Sequence, residues 1–451
     1  MSKSASNLLF HRHSAWGNCM VSIRSRIGFL IEYTLKVFLR PAAFAFYASV
    51  LRKLRLIPEF KAALNNPIRR VLIIGLSKHV GDTVMMLPMV DMIHDTDPGV
   101  EIEIAVAAQV APFLRSVPYI AQVHGVDVGP AKIPSLSLSK FLWNVIGYAR
   151  RALYEKDYDI CLLPRWGKDP CLSSYLAYLT NAPVRCGQDP DEEFNITDDF
   201  PGTKKLMTIA VQGGHGLPDA VRQLRLLPAV GLVKSIDETS AAARPIMALS
   251  RIAQTVDFQE LCDRLHINAD LPYAVMAPGA SHPRRWWPLE RYSEIVEFVG
   301  NKYSVNCLVI GSPSERKMGT DIEKLTRNAA LSIIGKTSLE ETMAILSRAS
   351  LFIGNDSGPG HIAAGLGLPS IIVSLVPASL KEECQSSPSR VRPVGPKFTV
   401  VQPEFPASPC RSMCEGATAH CILGVSTETV IKEIEKLMPI QSNSLVSQAS
   451  T

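Results

Sequence analysis

Residue types suited to phosphate binding lie in the stretch Asp356-Ser357-Gly358-Pro359-Gly360-His361. The apolar run 351–355 precedes it, and a helix-forming run at 362–366 follows. Asp or Ser can cap a helix, glycine lets a ligand approach the backbone, and proline suits the first helical position. A strand followed by such a short helix directs unpaired N–H groups toward an anion. A capped turn without a ligand is the alternative that the local pattern leaves open.

The elements around this stretch predict a parallel sheet. A second apolar run, 370–375, completes a strand–helix–strand unit, and open parallel sheets bind phosphate beyond such strand ends. An earlier apolar run at 71–76, a loop at 77–82 and a helix at 83–93 begin a similar alternation. We therefore expect two Rossmann-like α/β domains, 70–250 and 251–440, with a linker at 234–248 and a cleft between the domains.

Composition indicates a globular protein from a reducing compartment. The chain has 451 residues, of which 47% are hydrophobic and 20% are charged. Its ten cysteines are scattered, and most lie in apolar runs, which argues against a disulfide framework. The sequence begins without the charged and apolar pattern of a secretory signal, so we expect a cytoplasmic protein.

The first 69 residues predict a basic amphipathic extension. Residues 1–70 contain twelve Lys and Arg against Glu32 and Glu59, whereas the remainder is mildly acidic. Within 27–56, the charged residues Glu32, Lys36 and Arg40 are four apart, which places them on one side of an apolar helix. No window is clean enough to span a bilayer, so we expect residues 27–56 to lie on the inner membrane surface. Packing on the protein body is the alternative. Nucleic acid is not an expected partner, because few stacking aromatics accompany the basic residues.

Four motifs follow one another along the chain. They are Leu76-Ser77-(x)3-Gly81-Asp82-Thr83-Val84; Ala277-Pro278-Gly279-Ala280 with Arg285-Trp286-Trp287-Pro288; Gly354 to Ala364; and Pro409-Cys410-(x)3-Cys414 with His420-Cys421. In this order they resemble the motifs of glycosyltransferase family 9, the ADP-heptose:lipopolysaccharide heptosyltransferases. The resemblance covers residues from about 70 to about 437, and Arg285 stands where the family usually has lysine.

This resemblance implies a GT-B fold, in which two Rossmann-like domains face each other across a cleft. The C-terminal domain would bind a nucleotide-sugar donor, and the N-terminal domain would bind a lipid-linked saccharide acceptor. Transfer would invert the anomeric carbon without a metal or cofactor, with heptose from ADP-heptose as the expected sugar and lipopolysaccharide as the expected acceptor. A catalytically silent nucleotide-sugar-binding or scaffold protein on the same fold is the alternative. Residues 441–451 are expected to form a flexible tail.

By the same resemblance, Asp82 would be the general base that accepts the acceptor proton. A role limited to capping a helix is its alternative, and His79 is a second candidate base. Arg285, or else Arg284, would stabilise the leaving diphosphate together with backbone N–H groups of Ser357 to Gly360. The expected donor-binding residues are Arg285, Asp356, Ser357, Gly358, Pro359, Gly360, His361 and Gly279, and the expected acceptor-side residues are Ser77, His79 and Gly81. Asp356 would accept hydrogen bonds from sugar hydroxyls, and His361 would either contact phosphate or support the loop.

The cysteines near the C-terminus could suggest zinc. Cys410 and Cys414 have a tolerable spacing for a metal site, but His420 and Cys421 are adjacent, which is awkward for a tetrahedral site. We therefore expect a metal-free packed tail, with zinc binding as the alternative.

Overall fold

The computed structural model describes residue 49 and residues 67–127, 147–149, 151–166, 171–189, 203–214, 216–380, 387–411 and 414–439. The predicted membrane-binding segment 27–56, apart from Ser49, and the predicted tail 441–451 lie outside these residues. Within the described ranges, no helix combines the length and the apolar character needed to cross a bilayer.

The first sheet has six strands in the order β3-β2-β1-β4-β5-β6. The strand pairs β1–β4, β4–β5 and β5–β6 are parallel. The side chains of Val71, Leu72, Ile73 and Ile74 are fully buried, as expected for the uninterrupted apolar run of a central parallel strand. The strands are β1 (Arg70–Gly75), β2 (Glu101–Ala107), β3 (Ile120–Val126), β4 (Ile160–Leu163), β5 (Val184–Gln188) and β6 (Ile209–Val211).

Helices of the first half follow the predicted alternation. The longest, α1, runs from Val80 to Thr96 and is buried over most of its length. The helices are α1 (Val80–Thr96), α2 (Ala111–Leu114), α3 (Ser173–Leu179), α4 (Asp219–Leu224), α5 (Leu226–Ala229), α6 (Glu238–Ala243) and α7 (Met247–Ala253).

The second sheet repeats the topology of the first. Its order is β12-β11-β10-β7-β8-β9, which is the same sequence of crossovers. The chain therefore reverses direction across the sheet between β7 and β10, and open α/β sheets bind ligands at such a switch point. The strands are β7 (Tyr273–Ala277), β8 (Asn306–Val309), β9 (Ala330–Ser332), β10 (Leu351–Asn355), β11 (Ser370–Val373) and β12 (Phe398–Val401).

The helices that cover the second sheet enclose one hydrophobic core. Trp287, Tyr292, Ile353, Ile422 and Ile434 are all buried in this core, so the C-terminal segment packs on the same sheet as the loop that follows β10. The helices are α8 (Phe258–Leu265), α9 (Leu289–Tyr303), α10 (Arg316–Leu325), α11 (Leu339–Arg348), α12 (Gly358–Gly365), α13 (Pro388–Val391) and α14 (Thr427–Leu437).

The stretch predicted as a linker, 234–248, is structured. Asp237 caps α6 by accepting hydrogen bonds from the N–H groups of Thr239 and Ser240. The Ile246 N–H donates to the Gly365 carbonyl at 2.6 Å, just before α7 begins. The segment is therefore helical in part rather than extended, and its role as a linker between the two halves stays a prediction.

Residues contact most densely within two compact units. One contains the residues described before Ser77 together with those of Gly125–Gln212, and the other contains Ser77–His124 and the described residues from Gly213 onward. The side-chain contacts of the candidate site all lie within the second unit. The domain borders expected from the sequence, at 69/70, 250/251 and 440/441, stay predictions.

Candidate active site

The loop between β10 and α12 contains the predicted phosphate-binding residues. Ser357 is the residue that precedes the helix, with extended backbone angles, and Pro359 is the second helical residue rather than the first. The Ser357 hydroxyl donates to the Asn355 carbonyl at 3.1 Å, and no side chain caps this helix. The cap expected from Asp356 or Ser357 therefore does not form, and the helix start keeps its own donors.

Two backbone amides remain available to a ligand at this helix start. The Ser357 carbonyl accepts the N–H of Gly360 at 3.0 Å and that of His361 at 3.4 Å, and Pro359 has no N–H. Within the part of the chain that the structure describes, the N–H groups of Ser357 and Gly358 donate to no protein acceptor. Fewer backbone N–H groups are thus available to an anion than the sequence predicted for Ser357 to Gly360. Gly360 instead serves packing, since an added Cβ would lie 2.7 Å from Ile372 Cδ1.

Arg285 lies beside this loop, whereas Arg284 does not. The Arg285 Nη2 atom lies 3.1 Å from Asp356 Oδ2 and also donates to the Asp356 backbone carbonyl. Arg284 donates instead to the Cys414 carbonyl at 3.2 Å. The guanidinium of Arg285 is about one-third exposed, so the ion pair holds it at the loop while one edge still faces solvent. Of the two arginines left open by the sequence, Arg285 is the one that can meet an anion here.

The end of β10 is tied firmly to the loop after β7. Asn355 is completely buried, and its side-chain oxygen accepts hydrogen bonds from the Trp287 N–H and the Tyr292 hydroxyl, both at 3.2 Å. Its amide nitrogen donates to the Pro278 carbonyl at 2.5 Å. Asn355 belongs to the motif from Gly354 to Ala364, but the sequence alone does not indicate its role. These contacts make it the residue that aligns the two loops of the switch point.

Gly279 faces the side chain of Glu315. A Cβ built at Gly279 would lie only 1.9 Å from Glu315 Oε1, so the carboxylate occupies the space that a side chain would need. The other carboxylate oxygen of Glu315 accepts from the N–H of Ser312 at 2.6 Å and from its hydroxyl at 2.8 Å. A side chain at 279 would therefore have to displace the carboxylate of Glu315, a residue that the sequence did not single out.

A cavity of about 1180 Å³ extends from this switch point. Ser357 and Pro359 line one side, Gly279 another, and Thr418 and Ala419 of the C-terminal segment a third. Ligand pockets for small molecules commonly measure about 300–1,000 Å³, so the space suits a ligand as large as a nucleotide-sugar.

The first turn of α1 packs against the first turn of α12. A Cβ added to Gly358 would lie 3.2 Å from Val80 Cβ. A Cβ added to Gly81 would lie 3.0 Å from Cδ2 of the His361 ring. Each glycine thus lets the opposite helix approach, and the predicted acceptor-side residue Gly81 directly contacts the predicted donor-side residue His361.

Asp82 is the third residue of α1, within the turn that touches α12. The N-cap position belongs to His79, so the alternative role of Asp82 as a helix cap is wrong. The Ser77 hydroxyl donates to Asp82 Oδ2 at 2.5 Å and accepts the His79 N–H at 3.2 Å. Ser77 therefore orients the carboxylate. His79 is exposed and occupies the N-cap position of α1. Its hydrogen bond to Ser77 is made by its backbone N–H and not by its ring.

Burial and the neighbouring charges determine the pKa of His361. Burial lowers the pKa of His361, while Asp356 and Asp82 raise it and Arg285 lowers it further. The net result is a lowered pKa, so the ring is neutral at neutral pH. Its Nδ1 atom is buried and has no hydrogen-bond partner among the described residues. These observations favour loop support over direct charge pairing with phosphate.

A second acid near Asp82 was not predicted from the sequence. Asp219, in the first turn of α4, pairs with Arg390 Nε at 3.1 Å, and both side chains are largely buried. Burial raises the pKa of Asp219, the guanidinium of Arg390 lowers it, and the negative charge of Asp82 raises it. The pair is separated by 171 positions in the chain, so no local motif could have revealed it.

A group of side chains that could hold a metal ion lies in the C-terminal segment. It consists of Cys410, Cys414, His420 and Cys421. All three thiols are buried in one cluster, as expected for a packed tail. They also surround the His420 imidazole.

Proteins with similar sequences include two heptosyltransferases. Lipopolysaccharide heptosyltransferase 3 of Escherichia coli is 23% identical over 296 residues, which cover 64% of this chain and 79% of that protein. Lipooligosaccharide heptosyltransferase 2 of Haemophilus influenzae is 21% identical over 339 residues, or 74% of this chain and 88% of that protein.

Solved structures share the fold. A glycosyl transferase family 9 protein from Veillonella parvula superposes with a TM-score of 0.61 at 18% identity, covering 82% of this chain and 97% of that one. The heptosyltransferase WaaC of Escherichia coli, solved with ADP, gives 0.59 at 17% identity, covering 82% of this chain and 100% of that one. These neighbours and the two six-stranded parallel sheets confirm the predicted α/β fold of the GT-B type.

The sequence profile of glycosyltransferase family 9 (heptosyltransferase) matches residues 148–418. The match spans more than half of the chain, and the motifs around Asp82 and after residue 418 extend the resemblance beyond it. This protein therefore belongs to glycosyltransferase family 9 and is a glycosyltransferase.

Proposed function

We propose that this protein is an inverting, metal-independent heptosyltransferase that moves heptose from ADP-heptose to a lipopolysaccharide-type or other lipid-linked saccharide acceptor. The observation that carries the proposal is the packing of the Asp82 turn against the donor-loop turn through Gly81 and His361. The heptosyltransferase relatives support the choice of sugar, and the ADP complex of a structural neighbour supports the choice of nucleotide.

Asp82 is the base in this proposal. As the acceptor hydroxyl oxygen attacks the anomeric carbon, its proton moves to the Asp82 carboxylate, and the bond from that carbon to the diphosphate oxygen breaks. A positioned base of this kind commonly accelerates a reaction by about 10²–10⁴-fold. The hydrogen bond from the Ser77 hydroxyl to Oδ2 fixes the orientation of this carboxylate.

The leaving diphosphate requires stabilised negative charge. The N–H groups of Ser357 and Gly358 point from the positive end of the α12 dipole, and Arg285 adds a full positive charge beside them. A planar guanidinium can contact two phosphate oxygens at once. These protein groups supply the charge that a metal ion would otherwise provide, which is why we propose metal-independent transfer.

Polar groups around the cavity suit the remainder of the donor. The Asp356 carboxylate, though paired with Arg285, keeps acceptor capacity for sugar hydroxyls, because a carboxylate has about four lone-pair sites. Glu315 faces the cavity close to Gly279 and offers a further acceptor for hydroxyl groups. The neutral ring of His361 holds the two helix turns at the spacing that transfer requires.

We further propose that the enzyme works on the cytoplasmic face of the inner membrane, where residues 27–56 bring it to its lipid-linked acceptor. Basic residues on an amphipathic segment are attracted to anionic lipids, which supports this location. Deleting residues 2–56 should move the protein from the membrane pellet to the supernatant. Continued pelleting of the shortened chain would contradict this part of the proposal.

The role of Asp82 is tested by replacing Asp82 with asparagine, with Asp95→Asn, an exposed acid on the same helix, as the matched control. Asp82→Asn should reduce transfer, measured as ADP released in the presence of acceptor, by about 10²–10⁴-fold. Binding of ADP-heptose, measured by calorimetry, should stay within about threefold, because neither oxygen of Asp82 is assigned to the donor.

The control variant should transfer at the wild-type rate. If Asp82→Asn retains transfer within a factor of about three, the assignment of the base is refuted. If the wild-type protein binds ADP-heptose yet transfers to no saccharide acceptor, the catalytically silent alternative gains the support.

A further inference from the structure

Four side chains with metal-ligand chemistry converge in the C-terminal segment. The three Sγ atoms and the imidazole nitrogen of Cys410, Cys414, Cys421 and His420 all lie within 4.8 Å of one another. The thiols are buried, and the imidazole is half-buried. The Nδ1 atom of His420 lies 3.5 Å from Sγ of Cys410, 3.9 Å from Sγ of Cys414 and 3.5 Å from Sγ of Cys421.

These separations are close to the edges of a zinc-sized tetrahedron. Zn–S bonds of about 2.3 Å and Zn–N bonds of about 2.05 Å, at tetrahedral angles, place each sulfur about 3.6 Å from the nitrogen. The three observed distances bracket this value. The four ligand atoms as a set lie within 4.8 Å of one another, whereas the sulfur–sulfur edges of such a tetrahedron measure about 3.8 Å. One central ion would therefore reach all four ligands after the thiols draw together by up to about 1 Å.

The backbone removes the objection raised by adjacent ligands. His420 has φ −143° and ψ −84°, outside the helix and strand regions, and it precedes a short 3-10 turn at Cys421–Gly424. This irregular conformation brings the side chains of His420 and Cys421 to the same side, which regular strand geometry would forbid. The expectation from spacing assumed a regular backbone.

A second contact sets the tautomer of the histidine. The Nε2 atom of His420 lies 3.1 Å from the Ser408 carbonyl, which can only accept a hydrogen bond. Nε2 therefore carries the proton and donates it, and the lone pair of Nδ1 faces the three sulfurs. A backbone carbonyl holding the far nitrogen in this way is the usual partner of a metal-binding histidine.

We propose that Cys410, Cys414, His420 and Cys421 bind one divalent transition-metal ion, with a ligand set that suits zinc. Three thiolates and one neutral imidazole are a standard structural zinc set. Binding would displace the three thiol protons to solvent as three S–metal bonds form. With all four positions filled by protein, the ion has no open site for substrate and serves the structure rather than the transfer.

The proposed ion would stabilise one wall of the donor cavity. Thr418 and Ala419, which line that cavity, lie between the ligands Cys414 and His420 in the chain. The carbonyl of Cys414 accepts the hydrogen bond from Arg284, next to the donor-site Arg285. Loss of the ion should therefore loosen the wall and the anchor of the arginine pair together.

The direct test measures metal content by mass spectrometry on full-length protein purified without a metal-affinity resin. We expect one zinc, or one iron, per chain in the wild type and its loss in Cys414→Ser and His420→Ala. Cys262→Ser, which alters a buried thiol on α8, should keep the ion. Protein prepared with Co²⁺ should show the thiolate charge-transfer band and the intense visible bands of a tetrahedral sulfur site, which does not depend on any variant folding.

The proposal is overturned if the wild type contains no stoichiometric metal and binds no Co²⁺ in this geometry. A disulfide among Cys410, Cys414 and Cys421 in the isolated protein would overturn it equally. These readouts do not depend on activity, so their failure is distinct from failure of the proposed function.

A second measurement rests on the proposed function. Chelation of the ion should weaken ADP-heptose binding by about tenfold, the scale of losing one or two hydrogen-bonded wall contacts, and added Zn²⁺ should restore it. If the metal leaves while donor affinity stays constant, the ion binds but does not shape the donor cavity.

Discussion

Replacing Gly81 with alanine tests whether the contact between α1 and α12 sets the geometry of transfer. The added methyl group would lie 3.0 Å from Cδ2 and 3.3 Å from Nε2 of His361, closer than ordinary van der Waals contact. The His361 ring is buried, so it has little freedom to turn away. We expect α1 and its Asp82 to move away from the donor loop by about 0.5 Å, the overlap that an overpacked contact must relieve.

The expected effect on catalysis is larger than the effect on stability. Overpacking costs about 1–3 kcal/mol, but an alanine within a helix recovers about 1 kcal/mol of helix propensity relative to glycine. The free energy of unfolding should thus fall by about 0–2 kcal/mol. Misplacing a catalytic group by 1 Å can cost about 100-fold, so a shift of half that size should lower kcat about tenfold while ADP-heptose affinity changes little.

Gly300→Ala is the matched control. Gly300 lies within α9, has no atom within 4 Å of its added Cβ and does not approach the site. Alanine there should raise the free energy of unfolding by about 0.5–1 kcal/mol and leave kcat unchanged. Urea unfolding and initial rates of ADP release provide both quantities.

A double-mutant cycle with His361→Ala sharpens the test. Without the ring, the methyl group of Gly81→Ala meets open space, so the combined loss in kcat should be smaller than the product of the two single losses. If Gly81→Ala transfers at the wild-type rate, or if the two effects simply multiply, the contact does not position Asp82.

Two further substitutions test the charges of the molecule. Arg285→Gln should lower kcat by about 10²–10³-fold, because it removes the cation beside the leaving diphosphate, while Arg285→Lys should lose less and the distant exposed Arg264→Gln nothing; equal rates for Arg285→Gln and the wild type would contradict this. Asp91 accepts hydrogen bonds from the N–H groups of Met247 and Ala248 at 2.6 and 3.1 Å, yet burial raises its pKa from 3.8 to about 6. Because the folded-state pKa lies above the unfolded one, the native state binds a proton that the unfolded state has already released. This group therefore lowers the free energy of unfolding as the pH rises from about 4 to about 6, by about 3 kcal/mol in total. The unfolding free energy of Asp91→Asn, measured against pH, should lack this fall, whereas Asp95→Asn removes only the smallest contribution to the raised pKa and should keep most of the fall. An unchanged pH slope in Asp91→Asn would contradict a raised pKa for Asp91.

Fold class and loop positions could be predicted because parallel strands produce a clear sequence signal. The runs 71–76 and 351–354 contain no polar side chain, since both faces of each strand are covered, and β1 and β10 lie there as expected. Glycines and acids that follow such runs fall at the carboxyl edge of a sheet. The two strand-to-helix turns that contain Asp82 and Asp356 could therefore be located before their contacts were known.

Strands with mixed or short sequences could not be predicted. β5 contains Arg185, Gly187 and Gln188, yet Arg185 is buried because backbone carbonyls of Leu206 and Ala182 accept its hydrogen bonds. β9 has only three residues, too few for any periodicity. In both cases long-range partners, rather than local propensity, decide the structure.

The geometry of the site could not be predicted from the sequence for the same reason. The pairing of Arg285 with Asp356, the choice between Arg284 and Arg285, and the approach of Asp219 to Asp82 all join residues distant in the chain. Residue types predicted which chemistry was possible. Contacts decided which of the possible residues could perform it.

The two adjacent arginines connect the C-terminal segment to the loop after β10, where we propose that the donor binds. Arg285 is held by Asp356 at the donor loop, while Arg284 is held by the Cys414 carbonyl. Further along, Trp287 and Arg291 donate to carbonyls of the same C-terminal segment, at Val425 and at Leu423 and Val425 respectively. Since a chain segment fixed at both flanks cannot shift at its centre alone, the position of the Arg285 guanidinium depends on how residues 410–425 are folded. A disturbance at the cysteine cluster should therefore reach the diphosphate site through this segment, without any contact between the cluster and the substrate.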